Sequence, residues 1–333
     1  MSDFAARLLA WFERHGRRGL PWQRDRDPYR IWVAEVMLQQ TQVAKVITYY
    51  ERFLRRFPDV AALAAASEEE LLALWAGLGY YRRALSLLAA ARLVCERHGG
   101  SLPRDPAALR ALPGIGRNTA GAILAQAFGL RQPILDGNAR RVLARHAGLA
   151  APAEGELWRL AEERLPRERL ADYTQALMDL GALLCRPRRP RCEACPVAAD
   201  CRARLLGDPS ALPRRRRRAP RPLRRVRLLL EHDAEGRVRL VRRPPLGYWP
   251  RLLSLPECDE REEGRELPGF RHDFTHFRLE ASLLVRPLRP RLEDAGAVLA
   301  GPDQLAGLAL PAPLQSRLRL FWELEEWRGP SSA

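Results

Sequence analysis

The chain has 333 residues, 47% of them hydrophobic and 29% charged, with a formal net charge of +16. That length suits two or three domains rather than one core, and the longest charge-free stretches, 118–130 and 304–316, are too short to span a bilayer. The opening Met1-Ser2-Asp3-Phe4 lacks a basic region followed by an apolar core, so a cytoplasmic protein is expected, with its six cysteines as metal ligands or free thiols rather than disulfides.

Residues 1–206 read as helical throughout. In Ile31-Trp-Val-Ala-Glu-Val-Met-Leu38, Glu35 is the only charge between Arg30 and Lys45. On a helix it sits at the edge of an apolar face, where desolvation raises a carboxyl pKa and suits it to general acid work. The alternative is a glutamate reaching out to solvent. Ser67-Glu-Glu-Glu70 opens a helix with a capping box, and Asp105-Pro106 opens another with Asp as N-cap and Pro at the first helical position. Leu112-Pro-Gly-Ile-Gly116 follows, its glycines allowing a tight hairpin whose amides point outward at a helix N-terminus. Such a hairpin binds phosphate without reading sequence. Asp136 precedes the helical segment from Gly137 and reads as its N-cap. Amide hydrogen bonds and helix polarity can keep such an aspartate ionised. One neutral acid beside one anion is the division of labour of glycosidic bond cleavage. Asp172-x-x-Gln175 is expected to open a third helix, running toward Cys185.

Cys185-x6-Cys192-x2-Cys195-x5-Cys201 gathers four thiols that can enclose one soft metal centre. Spacing alone leaves a four-cysteine zinc site and an iron–sulfur cluster both open. Around them, residues 186–227 hold fifteen arginines against Glu193, Asp200 and Asp208. Focused positive charge suggests a polyanion such as nucleic acid. The alternative is a solvated linker in a chain biased to arginine throughout, since Lys45 is its one lysine.

Residues 207–225, with five prolines or glycines around the run Arg214 to Arg218, read as an extended linker. Strand alternation then begins: Val226-Leu228-Leu230, Val238-Leu240 after the turn Asp233-Ala-Glu-Gly236, and Phe277-Leu279-Ala281-Leu283. Residues 314–328 look like a closing amphipathic helix, so 226–333 reads as a separate α+β domain.

These features in this order resemble the helix–hairpin–helix DNA glycosylases. The likeness narrows to the MutY family of adenine DNA glycosylases with Leu20-Pro-Trp22, Glu35-Val-Met-Leu-Gln-Gln-Thr-Gln42, Gly77-Leu-Gly-Tyr-Tyr81 and Leu135-Asp-Gly-Asn138. It covers about residues 4–206 densely and the remainder loosely. The resemblance implies a multidomain fold. An all-α helix–hairpin–helix core (23–130) would carry the six-helix barrel, and 1–22 with 131–206 would form an iron–sulfur cluster domain. The 207–225 linker would lead to an α+β Nudix-like C-terminal domain (226–333).

The resemblance further implies a [4Fe-4S] cluster on Cys185, Cys192, Cys195 and Cys201, with Arg186, Arg188, Arg189 and Arg191 toward DNA phosphates. Glu35 and Asp136 would face each other across a cleft as the catalytic pair, with Asn138 orienting the carboxylate or the sugar. Gln40 and Tyr80 would fill space at the flipped base, although both also suit an ordinary helix surface, and Trp22, Gln23 and Gln175 would line an adenine pocket. Gly114 and Gly116 would hold phosphate. At Asn118, lyase-type relatives carry the lysine that forms a Schiff base; an amide cannot, so a monofunctional enzyme is expected.

In the C-terminal domain, Arg243-Pro-Pro-Leu-Gly-Tyr-Trp249 and Phe270–Phe277 carry the Nudix likeness, with Thr275 and His276 placed to read 8-oxoguanine. For His276 a satisfied strand histidine stays open. Leu253 and Arg265 stand where Nudix glutamates belong, so hydrolase activity is not expected, and the stretch from Pro256 to Phe270 is short for the domain's helix. The implied partner is damaged or mismatched duplex DNA, met by a monomer without membrane association in a bacterial nucleoid. The rival readings are a pyrimidine or thymine mismatch glycosylase on the same scaffold and a non-catalytic iron–sulfur DNA sensor.

Overall fold

The computed structural model describes residues 3–214, 219–259, 261–289 and 296–324. Two compact units result, Met1–Ala65 with Ser86–Arg217 and Ala66–Leu85 with Arg218–Ala333.

The described residues before 223 contain helices and no strand. In chain order they are α1 (Asp3–His15), α2 (Pro28–Leu38), α3 (Val43–Arg56), α4 (Val60–Ala64), α5 (Glu68–Trp75), α6 (Arg82–His98), α7 (Pro106–Arg110), α8 (Arg117–Phe128), α9 (Gly137–Ala147), α10 (Glu154–Arg164), α11 (Leu170–Asp179) and α12 (Arg202–Leu205). The caps read from sequence are in place. Ser67 Oγ accepts from Glu70 N at 3.1 Å, Asp105 Oδ1 from Ala108 N at 2.7 Å and Asp136 Oδ1 from Ala139 N at 2.7 Å. Each satisfies an amide that the helix itself leaves unpaired.

Asp172 is a correction. The helix starts at Leu170, with Arg169 in left-handed backbone (φ 58) as its N-cap, and Asp172 pairs with that arginine at 3.0 Å.

In the first unit α8 is the central helix, buried from Thr119 to Gln126 and packed against α2 and α11. Its tight approach to the extended residues 133–135 requires Gly121, where a Cβ would lie 2.4 Å from the Pro133 carbonyl oxygen. On α1, Phe4, Leu8, Trp11 and Phe12 recur at helical spacing and bury against Val142 of α9 and Tyr173 and Leu177 of α11. The N-terminal helix is thereby packed with the helices that lead to the cysteines.

The second unit is a mixed sheet of β1 (Leu223–His232), β2 (Val238–Arg242), β3 (Leu253–Ser254), β4 (Arg265–Asp273), β5 (Arg278–Pro287) and β6 (Val298–Ala300), in the order β3-β2-β1-β5-β4 with β6 on β2. β1 and β5 run parallel, in register from Leu223 with Arg278 to His232 with Pro287. α13 (Ala312–Glu323) closes the unit, and the rest of the helix expected to run to 328 lies outside the described residues. The segment 66–85 joins this unit through Arg251–Glu68 at 2.6 Å, Arg242–Glu69 at 3.0 Å and the Tyr81 hydroxyl, which donates to Leu310 O at 3.4 Å. Among the described residues no helix occurs between Ser254 and Arg265.

Candidate active site and cysteine pocket

Glu35 lies on the buried side of α2 with 9% of its surface exposed. Its carboxyl is met from α8, where Gln126 Nε2 donates to Oε1 at 2.8 Å. Burial pushes the Glu35 carboxyl up to about 7. The Gln126 bond opposes the rise, and the nearby Asp136 charge adds to it. The two carboxyls therefore share one electrostatic environment, with Glu35 holding a proton near neutrality.

Asp136 stands at the N-terminus of α9, between the extended segment from Pro133 and the helix it caps. Burial raises its carboxyl from the ordinary value. The amides of Ala139 and Asn138, the Arg141 guanidinium and the Asn138 side chain all pull it down. Asn138 Oδ1 accepts from Arg141 Nη2 at 2.8 Å, and the same guanidinium donates to Gly181 O at 2.8 Å and Cys185 O at 2.7 Å.

Asn118 has a structural role that sequence reading did not supply. From the first turn of α8 its Oδ1 accepts from Leu135 N at 2.7 Å, tethering the residue just before Asp136. The start of α8 also meets the turn after α2, where Gln39 Nε2 donates to Thr119 Oγ1 at 3.2 Å. The hairpin between α7 and α8 turns on Gly114 (φ 79), whose missing side chain makes room for Ser86: a Cβ there would lie 2.8 Å from Ser86 Cβ. Gly116 is the N-cap of α8.

Trp22, Gln23 and Gln175 line one cleft of about 210 Å³, together with Ile31 one turn before Glu35 and with Gln126. At about 30 Å³ per liquid water, that is room for several waters or one heteroaromatic base. Trp22 is buried, its ring edge-on to Tyr50 at 5.4 Å. Gln126 is the functional neighbour that sequence reading missed. Its signal was present, as the only polar side chain from Ala120 to Leu130.

Gln40 and Tyr80 are not helix-surface residues, and that alternative is corrected. Both sit in turns in left-handed backbone, with φ 58 and φ 52. Such backbone is uncommon outside glycine and clusters at functional sites. Tyr80 is 46% exposed and carries the Arg83 guanidinium 5.3 Å from its ring centre.

The four cysteines of the sequence motif line one small apolar pocket with Leu184, Ala198 and Pro209. At Cys192, Cys195 and Cys201 burial, with the proximity of the other thiols, holds the group above the usual thiol range, Cys195 at about 11. Arg145, 2% exposed, organises the surrounding loop. It donates to Arg186 O at 2.6 Å, Pro187 O at 2.9 Å and Leu212 O at 2.8 Å, with Nη1 3.5 Å from Cys185 Sγ. Four soft thiol donors around one pocket are a donor set that suits a soft metal centre. Arg186, Arg188, Arg189 and Arg191 are all exposed beside this pocket.

In the second unit Thr275 and His276 are exposed at the tip between β4 and β5, so His276 is no strand histidine. The tip is closed by Phe274 N donating to Phe277 O at 2.9 Å and by the stacked rings of the same two residues, 4.5 Å apart. Leu253 is buried in β3 and Arg265 opens β4. The buried Glu231 carboxylate is paired with Arg239 at 2.7 Å and Arg286 at 2.8 Å.

The HhH-GPD superfamily of base excision DNA repair proteins matches residues 33–167, a span that includes both carboxyls and the hairpin. The chain is 31% identical to an adenine DNA glycosylase of Buchnera aphidicola subsp. Acyrthosiphon pisum, covering 96% of this chain and 97% of that protein. It is 46% identical to the human adenine DNA glycosylase over 100% of this chain, which spans 62% of the human protein's length. A thermostable thymine-DNA glycosylase superposes on 61% of the chain with a TM-score of 0.58 and 31% identity. Endonuclease III in a DNA complex shares the fold over the same 61%, with a TM-score of 0.54 and 22% identity. Among the described residues no helix is long and apolar enough to cross a membrane.

Proposed function

The chain belongs to the adenine DNA glycosylases of the HhH-GPD superfamily, and from that premise we propose that it hydrolyses the N-glycosidic bond of adenine mispaired with 8-oxoguanine, or with guanine, in duplex DNA. The observation that carries the reading is the buried Glu35 carboxyl, held protonated near neutrality beside Asp136 and joined through Gln126 to the cleft of Trp22, Gln23 and Gln175.

Adenine within a duplex is unreachable, so the nucleotide must leave the stack. Phosphates on either side would rest on the amides of the Gly114–Gly116 hairpin and on the exposed arginines beside the cysteines. Exposed Tyr80 offers a ring for stacking, and Gln40 a polar side chain, where the base departs. In the cleft Glu35 gives its proton to adenine N7 as the bond from C1′ to N9 breaks, the bonding pair passing into the base. The sugar acquires positive charge, which the Asp136 carboxylate stabilises. Asn138 and Arg141 steady that carboxylate. Glu35, now ionised, takes a proton from the water that attacks C1′.

No amine stands at Asn118, and Lys45 lies exposed on α3. The product is therefore an intact strand with an abasic site. Cys185, Cys192, Cys195 and Cys201 would hold a [4Fe-4S] cluster, which supplies electrostatic and structural support to the Arg-rich loops. Purified protein is expected to contain iron and labile sulfide without stoichiometric zinc; metal analysis returning zinc alone would discard the cluster. The Nudix-like domain would inspect the opposite base through Thr275 and His276, the hydroxyl and the ring nitrogens both able to hydrogen-bond 8-oxoguanine.

The test is a duplex carrying adenine opposite 8-oxoguanine. Free adenine should appear, with strand scission only after alkali. The likeness to a thymine-DNA glycosylase supports one second reading, removal of thymine opposite guanine. Thymine released in place of adenine would favour it and end the first.

A further inference from the structure

The turn that presents Tyr80 is built on an arginine. Gly77 (φ 91), Gly79 (φ 81) and Tyr80 (φ 52) all take left-handed backbone, which a tyrosine adopts only at a cost. Two donors fix the turn through one acceptor: Gly79 O receives Trp75 Nε1 at 3.1 Å and Arg83 Nη2 at 3.0 Å. Trp75 is fully buried. The half-buried Arg83 guanidinium meets that indole, 5.5 Å from its ring centre, and the Tyr80 ring, 5.3 Å from its centre. Burial pulls Arg83 down to about 10, which leaves it charged at neutral pH. Its amide donates to Tyr80 O at 2.9 Å, so main chain and side chain of one residue hold the turn.

The two adjacent tyrosines are thereby divided. Tyr81 is buried, its hydroxyl accepting from Gly77 N at 3.3 Å and donating to Leu310 O at 3.4 Å. Tyr80 keeps its ring at the surface, against the cation.

We infer that Arg83 is a positioning residue that holds the Tyr80 ring in the pose in which it fills the base stack as a nucleotide is extruded. A planar guanidinium can lie against two rings and donate to a carbonyl at once. A ring held in place before DNA arrives gives up less rotamer freedom on insertion. The inference rests on the glycosylase reading and adds to it the group that sets the pose of this ring.

The test is a double-mutant cycle of Arg83→Met and Tyr80→Ala in the full chain. The duplex carries 2-aminopurine, which fluoresces when unstacked, in place of adenine opposite 8-oxoguanine. Glu35→Gln in every protein prevents release, so equilibrium fluorescence at saturating protein reports extrusion alone. Arg83→Met should lower the extruded-to-stacked ratio roughly fivefold, the worth of a partly desolvated cation on an aromatic face. In the Tyr80→Ala background it should lower the ratio no further, because the ring it acts through is gone. A merely structural role would give the same factor in both backgrounds and overturn the inference.

Arg83→Lys keeps the charge without the plane and should fall nearly as far, so it decides the matter if Arg83→Met does not fold. A lysine variant with the full ratio would mean that charge alone matters, as in a phosphate contact, and would also overturn it, as would a protein with Arg83 and Tyr80 intact that raises no fluorescence. The wild type assayed for adenine release separates the two readings: no release ends the glycosylase reading, while the fluorescence cycle still judges Arg83.

Discussion

Glu35→Gln is expected to lower base release by a factor on the order of 10² to 10⁴, the usual worth of a positioned general acid, while binding to the same duplex survives. Glutamine fills the same space and keeps a hydrogen-bonding partner for Gln126, so packing around α2 is undisturbed. It has no proton to give. The wild type should show the complementary signature in its pH profile. Its acid sits at about 7, so single-turnover release should decline as pH rises through that value, and the variant should show no such limb. Stability moves with a definite sign. A carboxyl whose folded pKa lies above its unfolded one costs stability progressively as pH rises from the unfolded to the folded value, so Glu35→Gln should melt no lower than the wild type above pH 7. Gel-shift affinity, release kinetics and a melting curve on one preparation check all three. Normal turnover by the variant would remove Glu35 from the mechanism and favour a DNA sensor without catalysis.

Asp136→Asn is the second large effect. Asparagine caps helices as well as aspartate does, so the bond to Ala139 N and the start of α9 should persist and the fold with them. What disappears is the negative charge. A loss on the order of 10² to 10³ in release is expected, by analogy with removing one preorganised electrostatic group from a site. The residual activity carries a further mark. The Asp136 charge helps to raise Glu35, so its removal should let that acid ionise earlier and move the alkaline limb of the profile to lower pH. A variant with lost activity but an unmoved limb would mean that the two carboxyls do not sense each other.

The local parts of this molecule were legible in the sequence and the pairings were not. Ser67, Asp105 and Asp136 announce helices because a cap needs only its own next three residues. Asp172 misled, because its partner is the arginine in left-handed backbone immediately before the helix. β4 was invisible: Pro268 and Gly269 interrupt it and it is largely exposed, with its ladder shifting register between Leu267 and Phe270. Within the site, the isolation of Glu35 among apolar residues predicted its raised pKa, whereas the donor that faces it lies 91 positions further on. Asn118 could be excluded as a Schiff-base amine from its side chain alone. Its grip on Leu135 N required the fold. The four cysteines gave a candidate ligand set by spacing, and the fold brings all four to one pocket.

Arg145 carries a consequence for the order of the thiol-bearing loop. The main-chain carbonyls of Arg186 and Pro187 in that loop, and of Leu212 beyond it, converge on this one guanidinium, so the polypeptide itself supplies part of the frame around the thiols. Lysine would be a poor replacement, because a single ammonium cannot span three acceptors in the fixed plane that the guanidinium provides, and such a change should loosen the loop without touching a thiol.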